Sequence, residues 1–274
     1  MHNSAFTNKT LSFLRSLKRN NDRDWFHARR EQYEAHVRAP MVAIIERLAD
    51  DFRTIAPEFA ADPKSSLFRP FRDTRFSENK APLKTNIAAR FPHRVLGRMN
   101  GAGLYFEVSP GWVWIGGGIW APETPQLQAI REHVAKHHRE LTRIVTASAF
   151  KKVGGLKGDC LTRVPRGFPK DHPAAPFLVF RQFMGIREEA GDFALRRDFY
   201  ARLLETFTAF VPLCRFLNEP LLNRANVLMF PIPLAEISRL PVGDREQHRA
   251  RNQRVAAHQQ LLRGRPDQDA EGDD

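Results

Sequence analysis

Residues 64–86, KSSLFRPFRDTRFSENKAPLKTN, hold the densest mixture of cations, aromatic rings and turn residues in the 274-residue chain. Six cations (Lys64, Arg69, Arg72, Arg75, Lys80 and Lys84) stand against two acids, Asp73 and Glu78, so the stretch carries +4 of the formal net charge of +12. Guanidinium forks and ammonium point charges together suit phosphate oxygens, and a carboxylate beside an arginine can orient it through a two-pronged hydrogen bond. Alternation along a strand sends Arg69 to one face and Arg72 to the other. A turn beyond Asp73 would be needed to gather Arg72, Arg75, Lys80 and Lys84 around one anion. The alternative is that Asp73 and Glu78 pair with these cations and fix two loops.

A second basic segment, residues 163–173 (RVPRGFPKDHP), is held by three prolines and carries Arg163, Arg166, Lys170 and His172. Arg166, Lys170 and His172 could close an anion site begun by residues 64–86. His172 has the intrinsic pKa for proton transfer near neutral pH, with Asp73 or Asp171 to orient it. Asp73 and His172 are therefore the candidate catalytic pair. No serine or cysteine stands in a nucleophile context, and Cys160 beside Asp159 reads as a small apolar side chain. Asp73, Glu107, Asp159, Asp171 and His172 are too scattered to argue for a metal. His133 and His137 have the i, i+4 spacing of a zinc pair, but without an HExxH pattern they read as exposed helix residues.

The positive charge lies in the part of the chain expected to fold. Residues 241–274 carry a net charge of −1, which leaves +13 on residues 1–240. That field favours polyanions, nucleotides or nucleic acid, although an arginine-rich composition can also arise without any ligand. The longest apolar runs fall well short of the roughly 20 residues that cross a bilayer, so no membrane partner is expected. Two cysteines give no disulfide framework, and the first residues lack an apolar leader core, which together make the cytoplasm the expected compartment. Neither a cofactor nor an oligomeric state is specified.

The elements that must position these residues are legible from period and caps. Thr7 or Asn8 opens a helix with Leu11, Phe13, Leu14 and Leu17 on one side, ended by Asn20 and Asn21. A second helix opens at Asp22 and gathers Trp25, Phe26, Arg29, Tyr33 and Val37; Pro40 suits the first turn of a third, running to Ile55. Residues 85–91 read as a strand and 104–119 as a hairpin turned at Pro110 and Gly111. Three glycines, Gly116, Gly117 and Gly118, end the hairpin, and a phosphate-loop reading of them lacks the GxGxxG or GxxxxGK context. Residues 122–144 read as a helix, 177–187 as a strand, and 198–217 as a helix that Pro212 kinks or shortens. The expectation is an α+β domain over residues 6–220, with N-terminal helices on a mainly antiparallel sheet and further helices in the second half. A proline-punctuated apolar extension (221–240) and a polar, disordered tail (241–274) would follow.

Five ordered motifs, NNDRDWF at 20–26, FRPFRDTRFS at 68–77, KAPLKT at 80–85, GGGIW at 116–120 and PRGFPKDHP at 165–173, resemble one family, domain of unknown function 2461, found mostly in bacteria and fungi. The resemblance spans residues 6–219 and carries no activity or catalytic residues with it. Leu83 stands where a tyrosine is usual, and Pro70-Phe71 where an aliphatic-tyrosine pair is usual, so a ligand bond from those hydroxyls would be missing. Three functions follow as expectations. The first is a phosphate-group or nucleic-acid binder using Arg69, Arg72, Arg75, Lys80, Lys84, Arg166 and Lys170. The second is a small-molecule enzyme using Asp73 and His172. The third is a structural or protein-interaction module presenting Trp112, Trp114 and Trp120.

Overall fold

The computed structural model of the protein describes residues 6–73, 80–97 and 100–229. Two compact units divide the chain, Met1–Leu221 and Leu222–Asp274. Arg75, and the expected extension and tail beyond residue 229, lie outside the described residues.

The helical front forms as capping and apolar spacing require, with one departure. Helix α1, Asn8–Arg19, buries Leu11, Phe13, Leu14 and Leu17, and the Thr7 amide donates to the Thr10 hydroxyl at 3.1 Å. Asp22 caps α2, Arg23–His27, by accepting from the amides of Asp24 and Trp25 at 2.8 and 3.0 Å. The single helix expected from Asp22 is broken at Arg29. It restarts as α3, Arg30–Tyr33, and passes through a π-turn, Glu34–Arg38, into α4, Ala39–Ile55. Pro40 accounts for the wide turn, because it has no amide proton for the carbonyl four residues back and its ring crowds that carbonyl. That carbonyl belongs to His36, and the Thr10 hydroxyl donates to it instead at 2.6 Å.

After the short helix α5, Pro63–Ser66, the sheet begins with β1, Ile87–Phe91, and the hairpin β2, Gly103–Val108, and β3, Trp112–Ile119. Helices α6, Thr124–Thr146, and α7, Ser148–Lys152, lead to the two-residue strand β4, Leu156–Lys157. Then come α8, Ala175–Leu178, strand β5, Phe183–Ala190, a 3-10 turn over Gly191–Leu195, and α9, Phe199–Met229. The expected strand over 177–187 is thus a helix first and a strand only from Phe183. Arg131 holds the intervening turn by donating to the carbonyls of Leu178 and Phe180, both at 3.0 Å.

Among the described residues the sheet has five strands in the order β1-β2-β3-β5-β4, every neighbouring pair antiparallel. One face is the core. Ile87, Ala89 and Phe91 of β1, Leu104, Phe106 and Val108 of β2, and Val113, Ile115 and Ile119 of β3 are all buried. Phe207 of α9 meets Phe91 and Phe106 at ring distances of 5.6 and 6.3 Å. At Gly117 and Gly185 a Cβ would come within 2.5 Å of the Phe210 side chain, so the helix lies directly on glycine backbone there.

Pro212 neither ends nor shortens α9, which contains both Pro212 and Pro220. A helix-interior proline costs about 3 kcal/mol. Each fully buried large apolar side chain returns about 1.5–3 kcal/mol, and Phe199, Leu203, Phe207, Phe210, Leu213 and Leu217 are all buried along this helix. Packing outweighs propensity.

One of the expected surface histidines is inside. His133 is only 9 % exposed, stacked against His137 and Phe216 at 4.5 Å each. Among the described residues its buried Nε2 has no hydrogen-bond partner, and Glu219 is 3.7 Å away. Burial pushes its pKa below the ordinary imidazole value; Glu219 and Glu140 pull the other way, and His137 and Lys136 add to the lowering. A histidine whose folded pKa is lowered binds more protons unfolded, so its contribution to stability is complete above the unfolded value of about 6.5 and falls away as the pH drops through and below it. Thermal melts between pH 8 and pH 5 should show stability declining towards acid, with a shallower decline in His133→Phe. Equal slopes in the two proteins would refute this assignment.

Candidate ligand-binding site

Alternation places on the face opposite α9 two rows that cross the sheet, Arg90–Tyr105–Gly116–Ile186 and Ala88–Glu107–Trp114–Glu188. The first row has almost no side-chain bulk at Gly116, and Gly118 on the same face has none. The result is a cleft of ≈ 400 Å³ floored by glycine backbone and walled by Phe68, Tyr105, Trp114, Trp120, Met184 and Ile186. Trp114 and Trp120 are 37 and 61 % exposed. Arg90 and Glu107 are the ionisable groups of the lining other than Tyr105.

Glu107 is a buried carboxylate at the end of this cleft, 8 % exposed. Its Oε2 accepts from the Tyr105 hydroxyl at 2.5 Å and from the Asn86 amide, and its Oε1 accepts from the Trp112 indole N–H at 2.8 Å. Three donors of three residue types therefore converge on one charge, which is how a buried carboxylate is kept. Burial and the neighbouring Glu107 charge raise the Tyr105 pKa, so its hydroxyl stays a donor.

The basic stretch borders this cleft along the free side of β1. Leu67 pairs with Ala89, and the Phe68 amide donates to the Ala88 carbonyl at 3.0 Å. The chain then doubles back. Phe71 pairs with Leu83, the Arg72 amide donates to Pro82 at 2.9 Å, and the Lys84 amide donates to Pro70 at 2.8 Å. Asn21 clamps this ribbon, its amide nitrogen donating to the Leu83 carbonyl at 3.0 Å and its oxygen accepting from the Leu83 amide at 2.9 Å. Phe26 meets Phe71 edge-on at 5.8 Å.

This ribbon distributes the predicted cations. Lys84 and Arg72 join Lys18, Asn21, Asn86 and Trp112 around a groove of ≈ 380 Å³, and two donors of the Glu107 network thus line the groove. The Lys84 ammonium sits over the Phe68 ring at 4.7 Å. Burial lowers the Lys84 pKa, Arg69 lowers it further, and Glu107 opposes both. Arg69 lines a second groove, and Lys80 and Asp73 are exposed at the edges of the segment outside the described residues.

The 163–173 loop is elsewhere. It follows β4, and β1 and β4 are the two end strands of the sheet, four strand spacings or about 19 Å apart. Arg166, Lys170, His172 and Asp73 line neither the cleft nor either groove. The His172 ring meets His138 of α6 at 6.0 Å, and its Nδ1 accepts from the Ala174 amide at 3.0 Å. Among the described residues no group of three His, Cys, Asp or Glu side chains is placed to hold a metal ion.

Residues 9–216 match the sequence profile of a family described as conserved hypothetical protein, DUF2461. The chain belongs to that family. No curated protein matches it as a relative. Within this DUF2461 domain the motifs at 20–26, 68–77 and 80–85 meet through Asn21, Phe26, Phe71 and Leu83, whereas the motif at 165–173 packs against α6. Among the residues that sequence reasoning did not assign to a site are Arg90, Tyr105 and Glu107 of the cleft, and Lys18 and Asn86 of the groove. The signal for Tyr105 and Glu107 was the strand alternation of the hairpin, which puts them on the same face as Trp112, Trp114 and Gly116.

Proposed function

We propose that the protein binds a phosphate-bearing ligand with a planar body, of the nucleotide class. The planar body would occupy the aromatic cleft, and the phosphate would meet Lys84, Arg72 and Lys18. The observation that carries this reading is the adjacency of two unlike compartments. An aromatic-walled cleft and a three-cation groove are joined through the hydrogen bonds that Asn86 and Trp112 donate to Glu107. Aromatic walls suit a π-face, and a cleft of this size falls within the roughly 300–1,000 Å³ of small-ligand sites. Among the described residues no helix is long and apolar enough to cross a membrane. The cytoplasm, where nucleotides are abundant, is the compartment proposed.

The exposed tryptophans also favour a second reading, a protein-interaction face centred on Trp114 and Trp120. The reading that pairs Asp73 with His172 for proton transfer gains no support from their positions. Tryptophan fluorescence separates the first two. Nucleoside monophosphates at low salt should quench it saturably, and Lys84→Ala should weaken binding about tenfold or more, the loss from a charge-assisted hydrogen bond of about 1.5–3 kcal/mol. Absence of quenching by every nucleotide tried would sink the proposal and leave the interaction face.

A further inference from the structure

The second groove has ≈ 320 Å³ and is lined by Arg30, Arg38, Lys64 and Arg69 among aromatic residues that include Phe68. Phe68 also walls the aromatic cleft. The one carboxylate in the groove lining, Glu34, already pairs with Arg38 at 3.3 Å. Two separate cation-lined grooves thus adjoin the cleft, Lys18, Arg72 and Lys84 in one, linked to it through the donors of Glu107, and Arg30, Lys64 and Arg69 in the other, linked to it through Phe68. A free nucleotide carries its phosphates at one end and would use only one of these grooves.

We infer that the natural ligand is a single-stranded nucleic acid segment, which enters along one groove, stacks a base in the cleft and leaves along the other. This inference rests on the nucleotide reading of the cleft and extends it. A polyanion with a phosphate at every unit matches cations in both grooves, and an unpaired base can offer its face to Phe68, Tyr105, Trp114 or Trp120, each such stack being worth about 1–3 kcal/mol. A duplex keeps its bases stacked on one another and cannot fill the cleft without opening. Stacking and backbone charge together recognise any sequence, so little base preference is expected.

The test uses the full chain with thymidine monophosphate, oligothymidylates of increasing length, and a duplex of matched length. Affinity should rise with length and then level off, with the duplex binding more weakly than the single strand. Binding of the long oligomer should weaken with salt at about 0.7 log units per log unit of salt for each phosphate contact, so four to six contacts give a slope of about −3 to −4. Arg30→Ala and Lys64→Ala should each reduce that slope by about 0.7 while leaving monophosphate binding as it was. If the oligomer binds no more tightly than the monophosphate, or if both variants leave the slope unchanged, the strand inference falls and the nucleotide cleft stands. Equal binding of the duplex also overturns it. If neither monophosphate nor oligomer binds, both readings fall together.

Discussion

Gly118→Ala is expected to be among the most destabilising small substitutions in this protein. Gly118 lies in β3 with φ +141°, a backbone conformation that residues with a side chain rarely adopt. A Cβ there would fall 2.0 Å from the carbonyl oxygen of Phe183 and 3.0 Å from the Cα of Met184. Both are backbone atoms of the neighbouring strand β5, so no rotamer change can relieve the contact. Overpacking of a tight site typically costs about 1–3 kcal/mol, and the unfavourable dihedral adds a term of similar size, about 1–3 kcal/mol. Their sum is a large part of the roughly 5–15 kcal/mol that holds a domain folded. Two other glycines separate the effects. Gly155 has φ +74° with nothing within 4 Å of a Cβ, and Gly111 has open space without a positive φ. Urea midpoints should therefore fall in the order Gly111→Ala, Gly155→Ala, Gly118→Ala, the first close to wild type. A Gly118→Ala midpoint no lower than that of Gly155→Ala would contradict the strand contact.

Glu107→Ala is expected to cost about 2–4 kcal/mol and to abolish ligand binding in the cleft. The substitution removes one acceptor but strands three donors, the Asn86 amide, the Tyr105 hydroxyl and the Trp112 indole. A buried donor left without a partner costs about 1–3 kcal/mol, and water entering from the groove side would offset part of this. Glu107→Gln keeps one oxygen but brings an NH2 group against groups that also donate, so an intermediate loss is expected. Tyr105→Phe removes a single donor and leaves the carboxylate two partners; about 1 kcal/mol is expected. Chemical denaturation of the three variants, with nucleotide titration of each, checks the order. If Glu107→Ala proved as stable as Tyr105→Phe, the carboxylate would not be the anchor of the cleft wall.

Much of the fold was legible because it depends on local rules. The hairpin over 104–119 follows from alternation and the Pro110-Gly111 turn, and α1 and α2 follow from Thr7 and Asp22 as caps. The breaks that were misjudged depend on distant partners. Pro40 does sit in the first turn of α4, as expected, but the chain before it does not stop: the π-turn Glu34–Arg38 runs straight into α4, and Thr10, thirty residues earlier, takes the His36 carbonyl that proline cannot. Pro212 does not shorten α9 because the helix is buried on both sides of it, by Phe199, Leu203, Phe207 and Phe210 before it and by Leu213 and Leu217 after it.

The site was half legible for the same reason. Charge density located the ribbon, in which the Arg72 amide donates to Pro82 and the Lys84 amide to Pro70. Sequence spacing said nothing about which edge of the sheet each basic loop would follow, and the 163–173 loop follows β4 rather than β1. Glu107 was visible only as one acid among several scattered along the chain. Its role depends on Tyr105 two residues back on the same strand, on Trp112 from the adjacent strand β3 and on Asn86 from the loop before β1.

The clamp at Asn21 bears on strand addition at the margin of the basic ribbon. A strand at the margin of a sheet offers unpaired N–H and C=O groups on which another chain can build. At Leu83 both of these groups are taken by one side-chain amide, which acts as a peptide unit with no strand attached to it. The ladder therefore ends at Asn21 instead of inviting a further strand. A residue that holds the basic ribbon in shape also guards its margin against strand addition.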